Sequence, residues 1–142
     1  MNNHSSQHQS SEINYYTNLP AIRENFKTNV MQEFMLIFRQ PSFDYSNVSP
    51  IEMQALTKKW HDWVGKIASQ EKLAATGKRL ATEGKVLRPG GVITDGPFVE
   101  IRERIGSFII VKTENIEEAL TLAHGCPVLD NDGSVEVRPV FQ

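Results

Sequence analysis

The sequence has almost no cysteine: Cys126 is the one thiol in 142 residues. An internal disulfide is therefore impossible, and the small secreted folds held together by cross-links are excluded. An excess of charge of one sign is missing too. Fifteen Lys and Arg stand against 17 Asp and Glu, for a net charge of -2, without the basic surplus that nucleic-acid-binding modules gather on one face. No nucleic-acid partner is expected. No apolar run comes near the roughly 18 residues that a membrane helix needs, so no membrane partner is expected either. The first residues, MNNHSSQHQSSEINYYTN, lack the basic start and apolar stretch of a secretion signal, and a cytoplasmic location is the expectation. A phosphate-binding glycine loop, a dinucleotide fingerprint, a G-x-S-x-G elbow and Cys/His metal spacing are all missing. No cofactor and no metal are expected.

What is present divides the chain in two. Residues 1–29 form an arm rich in Asn, Ser, Gln and His, with Glu12 and Glu24 balanced by Arg23 and Lys27; such a composition buries little. Within it Tyr15, Tyr16, Leu19, Ile22 and Phe26 are apolar enough to clip the arm to the body or to a second subunit. Residues 30–142 carry the periodicities of a folded domain of common size, about 100–150 residues.

In that domain Phe34-Met-Leu-Ile-Phe38 reads as a strand covered on both faces. Ser49-Pro50-Ile51-Glu52 follows, with Ser49 as helix cap, Pro50 in the first turn and Glu52 closing a capping box. Met53, Leu56, Trp60, Trp63, Val64 and Ile67 recur at spacings of three and four, so this helix buries both tryptophans on one stripe. His61 falls about 110° from the centre of the stripe if residues turn by about 100° each. From that flank it either lines a groove or is an ordinary boundary residue. Asp62 lies opposite the stripe, in solvent.

Leu73 to Ala81 and Lys85 to Leu87 read as extended, followed by the turn Arg88-Pro89-Gly90-Gly91 and by Val92-Ile93-Thr94, which together suggest a hairpin. Asp95-Gly96-Pro97-Phe98 is a further sharp turn. Ile105 to Lys112 is the most apolar strand, and Gly106 within it marks a close approach of backbone or ligand. A second helix starts near Asn115, turns Ile116, Ala119, Leu120 and Ala123 inward and stops at Gly125. Residues 134–141 alternate as a half-buried or edge strand. Strand, helix, strands, strand, helix, strand is the order of a ferredoxin-like α+β sandwich, with two helices on one face of an antiparallel sheet and an extra hairpin. Two helices leave the other sheet face uncovered, and a second copy packed sheet to sheet would cover it. A homodimer is expected.

The polar residues nearest the turn are Thr94, Asp95, Glu100, Arg102, Glu103 and Arg104, and the charges among them are of a kind that pairs on a strand surface. The stretch VITDGPFVEIRE from Val92 to Glu103, followed by IGSFIIV, resembles the YCII-related, or DGPF-domain, family. FMLIFR, the tryptophan-bearing helix, EEALTLAHGCP and GSVEVRPV extend the resemblance over about residues 33–140. It implies a dimeric α+β-barrel arrangement. Bacterial members have no settled reaction, and some are joined to sigma-factor-like regions. Some carry a His and Asp pair in a pocket; the family's histidine aligns with Trp60, one place before His61, and its aspartate with Cys126. Asp95 matches its family position, either as a site residue or as an aspartate bonded to its own turn.

Three functions follow as expectations. One is a small-molecule enzyme with Asp95 as acid or base and His61 as a helper, its ligand held by Arg39, Thr94, Gly96, Pro97 and Phe98. The second is a non-catalytic module binding a small molecule, and the third a transcription-associated regulator. Cys126, at a helix C-terminal end where the dipole disfavours a thiolate, reads as an inert thiol.

Overall fold

The computed structural model describes residues 30–41, 45–96 and 104–142. Residues 32–142 make one compact unit, and the expected arm at 1–29 lies outside the described residues.

Strand β1 (Gln32–Arg39) leads to helix α1 (Pro50–Ser69), strand β2 (Leu73–Thr76), the hairpin β3 (Gly84–Arg88) and β4 (Val92–Gly96), strand β5 (Ile105–Thr113), helix α2 (Ile116–Ala123) and edge strand β6 (Ser134–Pro139). The main sheet has the order β2-β5-β1-β6, antiparallel throughout, and β3 and β4 form a separate two-stranded sheet. With the hairpin set aside, this is the ferredoxin-like order, the last strand beside the first and the first beside the third.

Local chemistry explains the helix ends. The Glu52 amide donates to Ser49 Oγ at 3.1 Å and the Ser49 amide donates to Glu52 Oε2 at 3.1 Å, the reciprocal capping box. Asn115 caps α2 by accepting from the Glu118 amide at 2.8 Å. Gly90 and Gly91 take φ of 86° and 81° in the hairpin turn, a backbone that side chains resist.

The core lies between the helices and one sheet face. Phe34, Leu36 and Phe38 of β1 and Ile109 and Val111 of β5 meet Trp63 and Ile67 of α1 and Ala119 and Ala123 of α2. Trp63 donates its indole N–H to the Leu122 carbonyl at 2.9 Å, tying the helices together. Gly125 leaves room for that ring, since a Cβ there would lie 3.0 Å from it.

In the single chain β1 is fully covered on the helix side: Phe34, Leu36 and Phe38 are buried, whereas Met35 and Ile37 are half-buried on the face where a second copy is expected. Two expectations need correction. Leu120 is 45% exposed rather than turned inward; the inward stripe of α2 is Ala119 and Ala123, flanked by Ile116 and Leu122. The extended run from Leu73 is short. β2 ends at Thr76 and pairs with β5 in the main sheet, while the hairpin pairs Lys85 with Asp95 and Leu87 with Ile93. No helix among the described residues is long and apolar enough to cross a membrane.

Candidate functional site

Helix α1 has a second working face. Met53, Leu56, Thr57, Trp60 and His61 recur at helical spacing along it, and they form one side of a cavity of about 700 Å³ at the end of the sheet where β1 leaves and β5 enters. That size suits a small organic ligand.

The cavity floor depends on an irregularity in the sheet. Phe38 pairs with Ser107 but Arg39 pairs with Ile105, so Gly106 is an extra residue that bulges out of the β1–β5 ladder. The Gln40 side chain occupies the space this glycine leaves, its Nε2 only 3.2 Å from where a Gly106 Cβ would sit. The Gly106 carbonyl accepts from the Leu80 amide at 2.8 Å and the Phe108 carbonyl from the Gly77 amide at 2.9 Å. The chain after β2 is thereby laid along β5, which brings Gly77 and Arg79 to the cavity.

Asn131 and Asp132 reach the rim from the turn before β6. Asp132 holds φ of 58°, the left-handed region that Asp tolerates better than most residues. Gly133 fixes that turn: a Cβ there would lie 2.5 Å from the Val128 side chain and 2.8 Å from the Arg39 carbonyl.

The walls differ in character. Phe38 and Trp60 meet edge to face with ring centres 5.2 Å apart and planes at 64°, and with Met53 and Leu56 they make an apolar corner. Gln40, Ser107, Asn131 and Asp132 give a polar side, with Arg79 and His61 nearby. Among the described residues, no side-chain hydrogen bond engages Gln40, Ser107, Asn131 or Asp132, so their polar atoms stand available to a guest.

The residues singled out in the sequence scatter. His61, solvent-exposed on the flank of α1, lines this cavity. Arg39 points the other way. One residue beyond buried Phe38 on the same strand, it lies on the far sheet face and donates through Nε and Nη2 to Glu136 Oε1 at 3.2 and 2.9 Å. Asp95 sits on the hairpin with its side chain 89% exposed, in an ion pair with Lys85 across the strands. Thr94 is half-buried there, its Oγ1 without a hydrogen-bond partner among the described residues, and Gly96 ends β4. Pro97 and Phe98, like Glu100, Arg102 and Glu103, lie outside the described residues. Asp95 and His61 thus belong to different places, and among the described residues Asp95 does not line the cavity. Sequence reasoning missed Gln40, Arg79, Ser107, Asn131 and Asp132; of this floor it had signalled Gly106 alone.

Two further groups bear on chemistry. Cys126 is buried, and that burial pushes its thiol up to about 12; such a thiol is a poor nucleophile. Glu118 is held below the ordinary carboxylate range by a hydrogen bond from Lys72, helped by the Glu114 amide. The pair joins the turn before β2 to α2 and lies among core-facing elements. No group of three or more metal-ligating side chains occurs among the described residues.

The family model of the YCII-related domain matches residues 45–142, from just before α1 to the end of the chain. No curated protein matches the sequence.

Proposed function

The chain belongs to the YCII-related domain family, and from that premise we propose that it is a small-molecule-binding domain working as a homodimer, with its ligand held in the cavity beside α1. The cavity carries the reading: about 700 Å³, an aromatic corner on one side and uncommitted polar side chains on the other. Ligand sites have this composition, a mostly apolar lining with a few convergent polar groups.

His61 and Asp132 are the groups on the cavity wall able to move a proton. Asp95 is a weaker candidate, because a carboxylate in open solvent beside a lysine lacks the desolvation that general acid–base catalysis draws on. Binding without bond breaking is accordingly the function proposed.

The second copy is supported by the open sheet face. Met35 pairs with Ile110 and Ile37 with Phe108, an apolar patch only half-covered in a single chain and bordered by Arg39, Glu136 and Arg138. Two such patches packed face to face would bury each other. Sedimentation should give a dimer mass for the natural chain and a monomer mass for Ile110→Lys; a monomer for the natural chain would refute this half of the proposal.

For the ligand, melting temperatures are measured against mixtures of metabolites, since a molecule that binds the native state raises its stability by about 2.7 kcal/mol at a hundred times its Kd. A shift that disappears in Thr57→Trp, where a bulky ring from an exposed helix position fills the cavity, supports the proposal. A shift that survives the substitution places the ligand elsewhere.

A further inference from the structure

The cavity walls also specify what kind of molecule enters. We infer that the ligand is a neutral, planar aromatic molecule whose edge carries an amide-like donor and acceptor, an inference that rests on the cavity being the binding site.

The planar body follows from the corner. Trp60 and Phe38 are fixed at 64° to each other, and Trp60 is held from behind by a second edge-to-face contact with Trp63, at 5.8 Å and 78°. Phe38 is buried and backs the corner, so the half-buried Trp60 ring is the aromatic surface against which a guest ring can pair. Aromatic pairs of that geometry attract each other beyond what area burial gives, which a saturated ring cannot match. Met53 adds a polarizable side chain to the same wall.

The edge follows from the opposite wall. Gln40 and Asn131 each present a carbonyl oxygen and an NH₂ group, and Ser107 adds a hydroxyl. A guest edge that both donates and accepts satisfies such a set, whereas a carboxylate brings acceptors only. The bulge at Gly106 is what admits the Gln40 amide to the floor. Neutrality follows from the lining: Arg79 and Asp132 both line the cavity with opposite formal charges, so the wall is not built of one sign that would select a charged guest.

The test uses simple probes on the full chain by titration calorimetry: benzamide (aromatic ring with amide edge), cyclohexanecarboxamide (amide edge, puckered ring), toluene (ring alone) and benzoate (ring with charge). Benzamide should bind about tenfold more tightly than cyclohexanecarboxamide or toluene, with affinity almost unchanged from low salt to about 0.5 M salt. Gln40→Ala and Asn131→Ala should each weaken benzamide about fivefold, the loss of one ordinary hydrogen bond, with little change in toluene binding. Benzoate binding best, and weakening as salt rises, would overturn neutrality. Cyclohexanecarboxamide equal to benzamide would overturn the aromatic requirement, and unaltered binding in both amide variants would overturn the edge. In these three cases the cavity remains the site. If no probe binds, and Thr57→Trp leaves the metabolite shifts intact, the cavity itself is not the site.

Discussion

Phe38 of β1 and Trp60 of α1 meet edge to face at 5.2 Å, and this one contact is both the end of the hydrophobic core and the apolar corner of the cavity. Stability and the proposed binding therefore share residues at this end of the molecule.

Truncating that corner should affect both. Trp60 is half-buried, so Trp60→Ala should cost about 2–3 kcal/mol, below the range for a fully buried aromatic. Trp60→Phe, which keeps a ring beside Phe38, should cost about 1 kcal/mol. Urea unfolding of both variants measures this, and equal losses would show that the ring contact contributes nothing beyond bulk.

Cys126 should be silent in the folded protein. With 2% of its surface exposed and its thiol pushed up to about 12 by burial, it should resist alkylation at pH 8 and react fully in denaturant. The linkage has a definite sign: a thiol that ionises at higher pH when folded than when unfolded favours the unfolded chain as pH rises. Stability should therefore fall between about pH 9 and pH 12. Cys126→Ala should show less of that fall.

Glu118 governs the opposite limb. Its carboxylate is favoured in the folded state by Lys72, so its contribution is present above the unfolded value near 4.5 and is lost as pH falls through the lower folded value. Glu118→Gln should cost about 0.5–1 kcal/mol at neutral pH, the modest value of a pair still 28% exposed on the Glu side, and should flatten the stability profile below pH 4.5. A profile as steep as that of the natural chain would assign acid sensitivity to other carboxylates.

Asp95→Asn should change little. The side chain is exposed and its partner is the flexible Lys85, so the substitution should shift stability by no more than about 0.5 kcal/mol and leave ligand-induced melting shifts in place. Loss of those shifts would return the hairpin to the centre of the function.

What the sequence revealed tracks how local each cause is. Ser49 and Glu52 lie three residues apart and fix the start of α1 by themselves; the Pro89-Gly90-Gly91 turn and the alternation of the last strand are equally short-range. The fold class was legible from these and from the order of elements. The cavity was not, because its floor needs Gln40, Gly77, Gly106 and Asp132 to converge from four segments, through a bulge and a left-handed turn that leave no periodic trace. Gly106 and His61 gave partial signals, one as a glycine interrupting an apolar strand and the other by its angle on α1. Arg39, expected among the binding residues, is carried by strand alternation to the opposite face, onto Glu136.

Chemical-shift mapping on isotope-labelled protein, with whichever metabolite or probe raises the melting temperature, tests the central claim most directly. Ligand-induced shifts should centre on the amides of Gln40, Gly77, Gly106 and Asp132 and on the His61 ring. Shifts confined to the β3–β4 hairpin around Asp95, with the cavity residues unmoved, would contradict it.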